Sequence, residues 1–211
     1  GVSAERHCTA LYRSSNGLDW DSCGIVLDHQ NKDMVLFEGR IGGFYHALTR
    51  PLGEVYFAYP DESPWLGGPA IHLARSPDGL HWKPLDKPGI RARKGSTSNQ
   101  RIGGGSPPVR TPEGWLLIYH GVERRAAIGV YRSFWALLDA DDPSVVLRQE
   151  DDRPLIEAAP ALTADIAHQR YLPTPVVFTT GLVDAGDAYL VAGGEADLAC
   201  RLTRIPKSHF R

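Results

Sequence analysis

The strongest constraint on the fold of this chain is an internal repeat. Residues 14–20 read SSNGLDW and residues 76–82 read SPDGLHW, so that Trp20 and Trp82 lie 62 residues apart. Each copy separates two runs of strand-type residues, and its Asn-Gly or Asp-Gly pair suits a tight turn. A period of about 60 residues that holds about four short strands is the length expected of one β-propeller blade.

Two weaker segments continue this period. Residues 138–147 resemble a degraded third copy, and residues 198–205 fall where the next equivalent strand is expected. We therefore predict an all-β fold, with residues 1–211 forming a single β-propeller domain of three to four blades. The alternative from the residues alone is a β-sandwich in which the similar turns are coincidental. An unclosed propeller exposes two apolar faces, so this domain is expected to be incomplete.

Glycine and proline support the all-β prediction. The 22 glycines and 16 prolines are spread along the chain and separate short apolar runs, which argues against long helices. A hairpin turn is predicted at residues 184–187, and a helical turn only around residues 161–168. The predicted strands cover residues 55–59, 115–119, 130–138, 176–178 and 189–192.

Composition excludes several classes of partner. The 23 Lys and Arg residues balance 25 Asp and Glu residues, so we predict no nucleic-acid or membrane partner. No apolar run approaches the roughly 20 residues that cross a bilayer, and the chain is expected to be soluble. Its three cysteines, Cys8, Cys23 and Cys200, lack C-x-x-C spacing, which favours neither a disulfide framework nor a zinc site and suggests a cytoplasmic location. A signal sequence upstream of Gly1 is left open.

Ligand sites of propellers lie at the central axis, where polar residues at the starts of blades come together. Lys32 and Asp33 precede an apolar strand, and Arg50 follows later in the same repeat. Arg101 precedes the three glycines 103–105, which let the backbone approach a ligand closely, and an arginine fork can bind carboxylate or phosphate. The alternatives are solvated turn residues for the first segment and a flexible surface loop for the second.

Two further segments place polar residues at strand ends. His120 ends the run of residues 115–119 and precedes a glycine, and Asp197 follows Gly193 and Gly194. A histidine in such a place is often a structural residue, and the carboxylate suits a turn as well as a sugar. The sequence contains no Walker loop, nucleotide fingerprint, H-E-x-x-H motif or serine triad motif.

Together these segments resemble the β-mannoside phosphorylase family, glycoside hydrolase family 130. Residues 31–37 (NKDMVLF) resemble its N-K-D-x-x-L-F stretch, and Arg50-Pro51 resembles its H-R-P, with Thr49 in place of the histidine. The most specific similarity is IGGGSPP at residues 102–108 followed by EGWLLIYHGV at residues 113–122. The resemblance extends from about residue 14 to the last blade.

The resemblance implies a five-bladed propeller that cleaves β-mannosides by inverting phosphorolysis to mannose 1-phosphate. Inorganic phosphate would be the co-substrate and a β-mannoside oligosaccharide the partner, with no metal and no organic cofactor. Several cationic side chains, Arg50, Arg101 and His120, would bind the phosphate, with Arg101 at a position usually occupied by lysine. The residues expected to line the sugar site are Lys32, Asp33, Tyr119 (as a stacking face), Asp197 and, on the acceptor side, Trp65.

The general acid is the main departure from the family. The family uses an aspartate in a D-P-R-type motif on an early blade, and this sequence has none upstream of Ser14, whereas inverting cleavage needs a proton on the leaving oxygen. We therefore expect a fragment or an inactive remnant, with Asp33 as a weak substitute acid. A β-mannosidase of the same family and a non-catalytic sugar-binding propeller remain alternatives, and homo-oligomerisation is left open.

Overall fold

The computed structural model describes residues 6–52, 62–66, 70–125, 127–172 and 174–210. Within these residues the secondary structure is almost entirely antiparallel β-sheet, and the helical segments are 3₁₀ turns at Pro160–Gln169 and Lys207–Phe210. The all-β prediction is therefore confirmed.

The described strands form four sheets that follow one another along the chain. The first sheet contains β1 (Thr9–Arg13) and β2 (Asp21–Leu27). The second contains β3 (Asn31–Leu36), β4 (Tyr45–Pro51), β5 (Ile71–Ser76) and β6 (Lys83–Ile90). The third contains β7 (Arg101–Gly104), β8 (Val109–Thr111), β9 (Gly114–Glu123), β10 (Val130–Leu138) and β11 (Val146–Glu150). The fourth contains β12 (Val177–Asp184), β13 (Ala188–Glu195) and β14 (Ala199–Pro206).

The two repeat copies form the same turn. In the second copy Ser76 Oγ accepts the Gly79 N–H at 2.8 Å, and Asp78 Oδ1 accepts the N–H groups of Leu80 and His81 at 2.9 Å each. Ser14 and Asn16 make the corresponding bonds in the first copy, with the same three distances. Gly17 and Gly79 adopt φ of 75° and 83°, a region that glycine enters without strain. The repeat therefore specifies the turn that leads into β2 and β6.

The strand predictions agree with the structure wherever it describes them. Residues 115–119 lie inside β9, residues 130–138 coincide with β10, and residues 189–192 lie inside β13. The predicted run at residues 176–178 overlaps β12, which begins one residue later, at Val177, and extends to Asp184. The predicted strand at residues 55–59 falls outside the described residues.

The predicted turns are also confirmed. Gly186 adopts φ of 83° between β12 and β13, where its N–H donates to Asp184 Oδ1 at 2.9 Å. The helical turn predicted at residues 161–168 is the 3₁₀ segment Pro160–Gln169, which contains a kink at Thr163.

The third sheet is buried on both faces, which explains the continuous apolar run of β9. Leu117 and Tyr119 belong to a core cluster shared with Leu48, Leu73 and other residues of the second sheet. The alternate residues, Leu116 and Ile118, belong to a second cluster that includes Val177 and Val191 of the fourth sheet. Successive side chains of a strand point to opposite faces, so β9 contributes to two cores at once. Stacking of consecutive sheets in this way is typical of propeller blades.

None of the helices in the described part of the chain has the length and apolar character of a membrane span.

Candidate functional site

Four of the predicted site residues lie where β3 and β4 of the second sheet approach β7 and β9 of the third. Asp33 lies on β3, Arg50 on β4, Arg101 on β7 and His120 on β9. We call Asp33, Arg50, Arg101 and His120 the cationic cluster. Asp33 is the counter-charge within it, because its Oδ2 lies 2.9 Å from Arg50 Nε and 3.6 Å from His120 Nε2.

A local irregularity of β3 places Asp33 in this cluster. The pairing of β3 with β4 shifts between Lys32 and Val35, and Asp33 adopts φ of 53°. Left-handed backbone is uncommon for residues with a side chain, although aspartate tolerates it better than most. The bulge brings the carboxylate to Arg50 rather than leaving it in the regular alternation of the strand. Strain of this kind is typical of functional sites.

Asn31 holds the beginning of β3 in place. Its side chain is 2% exposed, and its Nδ2 donates to the carbonyl of His29 at 2.6 Å. Its Oδ1 accepts hydrogen bonds from the hydroxyls of Thr9 at 2.6 Å and Thr49 at 3.5 Å. Thr49, which stands where the resembling motif has histidine, is therefore part of the support for β3 and β4.

Two rows of side chains cross the third sheet beside the cluster. Gly103 pairs with His120, which pairs with Ser133, and Arg101 pairs with Val122, which pairs with Tyr131. Residues paired directly across strands share a face. Small residues therefore lie on both sides of the imidazole.

Gly103 is required for the closeness of Asp33 and His120. A Cβ atom built on Gly103 would lie 2.7 Å from His120 Nε2 and closer still to Asp33 Oδ2. The first glycine of residues 103–105 thus allows Asp33 and His120 to approach the backbone. The predicted close approach of a ligand to these glycines stays a prediction.

His120 is locked by one hydrogen bond and two rings. Its side chain is 2% exposed, and its Nδ1–H donates to the carbonyl oxygen of Gly104 at 3.1 Å. Its ring lies 5.9 Å from that of Tyr131 and 4.6 Å from that of Phe178, measured between ring centroids. Burial lowers the pKa of His120 to about 3, helped by the nearby charge of Arg50. The prediction that His120 is a cation is therefore wrong at neutral pH, because the neutral imidazole is the buried form.

The positive charges around Asp33 oppose the effect of burial on its pKa. Burial raises the pKa of Asp33, and Arg50, Lys32 and Arg101 act against that rise in decreasing order. Arg101 donates from Nη2 to the carbonyl oxygen of Ile128 at 3.1 Å, and its guanidinium lies 5.6 Å from the ring centroid of Tyr131. Arg50 thus pairs with the carboxylate, and the charge of Arg101 is near enough to act on both. Two guanidinium charges in one region suit an oxyanion.

Tyr119 does not face the cluster, so its predicted role as a stacking surface for sugar is wrong. It precedes His120 on β9 and points to the opposite face, where it is 0% exposed and stacks on Phe134 with ring centroids 5.8 Å apart. Its hydroxyl donates to the carbonyl of Glu150 at 3.2 Å. A ring buried in the core offers no face to a ligand.

The remaining predicted residues lie apart from the cluster or at its edge. Lys32 pairs with Arg50 in the β3–β4 ladder, but its side chain is exposed. Asp197 is exposed after β13 and accepts a hydrogen bond from the Tyr171 hydroxyl at 3.0 Å. Trp65 lines a separate cavity of about 440 Å³ together with Arg91, Arg148 and other residues of the rim formed by β6 and β11. Neither the hydrogen bond of Asp197 nor the lining of the Trp65 cavity, as far as the described residues go, includes a residue of the cationic cluster.

Tyr131 and Phe178 are parts of the site that the sequence reasoning missed. Tyr131 lies on β10 two residues before Ser133, the partner of His120, and Phe178 lies on β12 of the next sheet. The pairing of β9 with β10 would have pointed to Tyr131 once the register was known. Phe178 has no comparable signal, because its contact depends on how two sheets pack.

The pKa of His120 predicts a loss of stability in acid. Its value is 6.5 in a model peptide and about 3 when folded, so the unfolded chain binds more protons between these values and the free energy of unfolding decreases as the pH falls through them. We expect the wild-type slope to exceed that of His120→Gln by up to about 1.4 kcal/mol per pH unit between pH 6 and 4.5. Urea unfolding at each pH measures this. Equal slopes would contradict a neutral buried His120. The raised pKa of Asp33 makes the free energy of unfolding change with pH in the opposite direction, but it does so in both proteins and leaves the difference between their slopes unchanged.

No group of three or more His, Cys, Asp or Glu side chains that could hold a metal ion occurs in the described ranges.

Comparison with known sequences shows that this chain is similar to carbohydrate phosphorylases. A family profile described as beta-1,4-mannooligosaccharide phosphorylase matches residues 66–209. A 1,2-beta-oligomannan phosphorylase of Thermoanaerobacter sp. (strain X514) is 35% identical over 187 residues, which are 89% of this chain and 54% of that protein. A beta-1,2-mannobiose phosphorylase of Listeria innocua serovar 6a is 34% identical over 180 residues, 82% of this chain and 43% of that protein. The chain spans about half the length of these relatives.

Solved structures agree with the sequence comparison. A beta-1,2-mannobiose phosphorylase from Listeria innocua, solved as a complex with beta-1,2-mannobiose, has a TM-score of 0.74 and 28% identity over 96% of this chain and 52% of its own. A glycosyl hydrolase from Bacteroides ovatus has a TM-score of 0.73 over 97% of this chain and 59% of its own, and at 20% identity it supports the fold alone. The family profile covers more than half of the chain, from before β5 to beyond β14, and both sequence relatives exceed 30% identity. The chain therefore belongs to glycoside hydrolase family 130.

Proposed function

We propose that the protein takes part in the inverting phosphorolysis of β-mannosides, with inorganic phosphate bound at Arg50 and Arg101. The observation that carries this proposal is the ion pair of Arg50 with Asp33, together with a second guanidinium, Arg101 of the next sheet, whose charge acts on both of these groups. Two fixed cations desolvate and orient an oxyanion at little further cost, because the protein has already positioned them. The named activities of the relatives, which are phosphorylases of beta-1,2-linked mannosides, support phosphate as the nucleophile.

In the proposed reaction a phosphate oxygen attacks the anomeric carbon from the face opposite the glycosidic bond. The bond between that carbon and the leaving oxygen breaks, its electron pair stays on the leaving oxygen, and a proton must reach that oxygen. The products are mannose 1-phosphate of inverted configuration and the shortened oligosaccharide. Arg50 and Arg101 would reduce the repulsion between phosphate and the carboxylate of Asp33. The chain would form three to four blades of a five-bladed propeller.

Asp33 suits the role of counter-ion better than that of general acid. Its Oδ2 lies 2.9 Å from Arg50 Nε, and this guanidinium opposes the rise that burial causes in the pKa of Asp33. We therefore leave the general acid unassigned and place Lys32 and Asp197 as further residues of the sugar site.

Phosphate binding by Arg101 is the most direct test. Arg101→Ala should raise the Kd for inorganic phosphate by roughly 10- to 100-fold, since it removes one of two charge-assisted partners. Arg110→Ala, on the same sheet but with its guanidinium over the ring of Trp115, is the matched control and should leave the Kd unchanged. Isothermal titration calorimetry measures both. An unchanged Kd in Arg101→Ala together with a large loss of thermal stability would remove Arg101 from the site.

Measuring the products of turnover distinguishes a phosphorylase from a β-mannosidase and from a sugar-binding propeller. Incubation with beta-1,2-mannobiose and phosphate should release mannose 1-phosphate in an amount that depends on phosphate. Release of mannose without phosphate would instead favour a β-mannosidase. Binding of mannose with no response to phosphate would favour a sugar-binding propeller.

A further inference from the structure

The cationic cluster contains groups that donate hydrogen bonds and groups that accept them. The guanidinium groups of Arg50 and Arg101 only donate. Asp33 has its Oδ2 2.9 Å from Arg50 Nε and a side chain that is 17% exposed. Burial raises the pKa of Asp33 and the charge of Arg50 opposes that rise; as the ion-pair partner of Arg50, Asp33 is a carboxylate that only accepts.

His120 is an acceptor on the side that faces Asp33. A backbone carbonyl accepts but cannot donate, so the 3.1 Å contact between Nδ1 and the Gly104 carbonyl places the single proton of the neutral ring on Nδ1. The lone pair is therefore on Nε2, which lies 3.6 Å from Asp33 Oδ2. Tyr131 and Phe178 pack against the ring, which prevents it from turning the N–H toward the cluster.

We propose that this site selects an oxyanion that carries its own proton, such as hydrogen phosphate, and rejects a fully ionised oxyanion such as sulfate. The inference rests on the proposed function, since it concerns the anion held by Arg50 and Arg101. An anion oxygen that faces Asp33 or the Nε2 of His120 meets a lone pair in either case. Contact is favourable only when the anion supplies the hydrogen.

The discrimination follows from the chemistry of the two anions. Near neutral pH phosphate keeps at least one proton, whereas sulfate keeps none. Sulfate would leave a buried carboxylate opposite an unprotonated oxygen with no hydrogen between them, and buried acceptors without a donor are costly. A site that hydrogen-bonds a ligand hydrogen rejects an isosteric ligand without it far more strongly than one that reads shape alone. Both anions are tetrahedral and similar in size, so shape does not separate them.

Calorimetric titration of the whole chain with phosphate, arsenate and sulfate at pH 7 tests the proposal. We expect phosphate and arsenate, which both carry a proton, to bind with similar Kd values, and sulfate to bind at least about tenfold more weakly. A sulfate Kd within twofold of the phosphate Kd would overturn the proposal and leave the proposed function standing. Absence of binding by all three anions would overturn both.

Asp33→Asn provides a second measurement. Its amide can donate an N–H where the carboxylate could only accept, so the ratio of the sulfate Kd to the phosphate Kd should fall at least about fivefold relative to wild type. Asp165→Asn changes an exposed aspartate of the 3₁₀ segment and should keep the wild-type ratio. A folded Asp33→Asn protein that retains the wild-type ratio would contradict the role of Asp33. If the variant does not fold, the selectivity of the wild-type protein decides alone.

Discussion

Gly103→Ala is expected to abolish measurable phosphate binding and to lower the free energy of unfolding by about 1–3 kcal/mol. The added Cβ would lie 2.7 Å from His120 Nε2 and nearer to Asp33 Oδ2. Neither side chain can yield freely, since His120 packs against both Tyr131 and Phe178 and Asp33 is paired with Arg50. Calorimetry with phosphate and urea unfolding measure the two effects.

The matched control is Gly194→Ala. Gly194 lies on β13, and a Cβ built there meets no atom within 4 Å. This variant should bind phosphate as the wild type does and keep its stability within about 0.5 kcal/mol. Equal behaviour of the two variants would show that the third sheet accommodates a methyl group beside His120, contrary to the arrangement described above.

Arg50→Met is expected to lower the free energy of unfolding by about 3–5 kcal/mol, because it leaves the carboxylate of Asp33 buried without its partner. The two side chains are 8% and 17% exposed, and the ion pair is 2.9 Å long. Combining Arg50→Met with Asp33→Asn removes both charges, so most of the lost stability should return. Phosphate binding should remain weak in both proteins. Urea unfolding of the wild type, both single variants and the double variant gives the coupling energy.

An exposed pair of the same type serves as the control for this cycle. Arg204 and Asp187 form an ion pair in which the side chains are 55% and 80% exposed. Arg204→Met should change stability by less than about 1 kcal/mol, as surface ion pairs contribute little. A loss for Arg50→Met as small as that for Arg204→Met would show that Asp33 is hydrated rather than buried.

The sequence predicted the fold well because local signals and tertiary packing agree. The repeated Ser-x-Asx-Gly turns at residues 14–17 and 76–79 depend only on neighbouring backbone groups, so they could be read without knowing the rest of the chain. Strands β9 and β10 were predicted because their runs are long and apolar. The number of blades in the complete fold does not follow from such local signals.

The site was predicted less completely, for three physical reasons. A strand buried on both faces shows no alternation of apolar and polar residues, so residues 115–120 do not reveal which of Tyr119 and His120 faces the ligand site. The bulge that brings Asp33 to Arg50 depends on the pairing of two strands rather than on the Asn-Lys-Asp motif. The protonation state of His120 depends on burial, which is decided by Phe178 of another sheet. The residue types could indicate an anion site, but they could not indicate which residues of the cationic cluster would donate hydrogen bonds and which would accept them.

Because β9 is buried on both faces, substitutions at neighbouring positions of this strand should affect different parts of the molecule. Its odd-numbered apolar residues pack toward the second sheet and its even-numbered ones toward the fourth. A truncation of Leu117 should therefore weaken the packing between the second and third sheets, whereas a truncation of Ile118 should weaken the packing between the third and fourth sheets, although the two positions are adjacent. His120 lies on this strand, Asp33 belongs to the second sheet and Phe178 to the fourth. Loosening the packing on either face of β9 would therefore alter anion affinity from a distance, through Asp33 in one case and through Phe178 in the other.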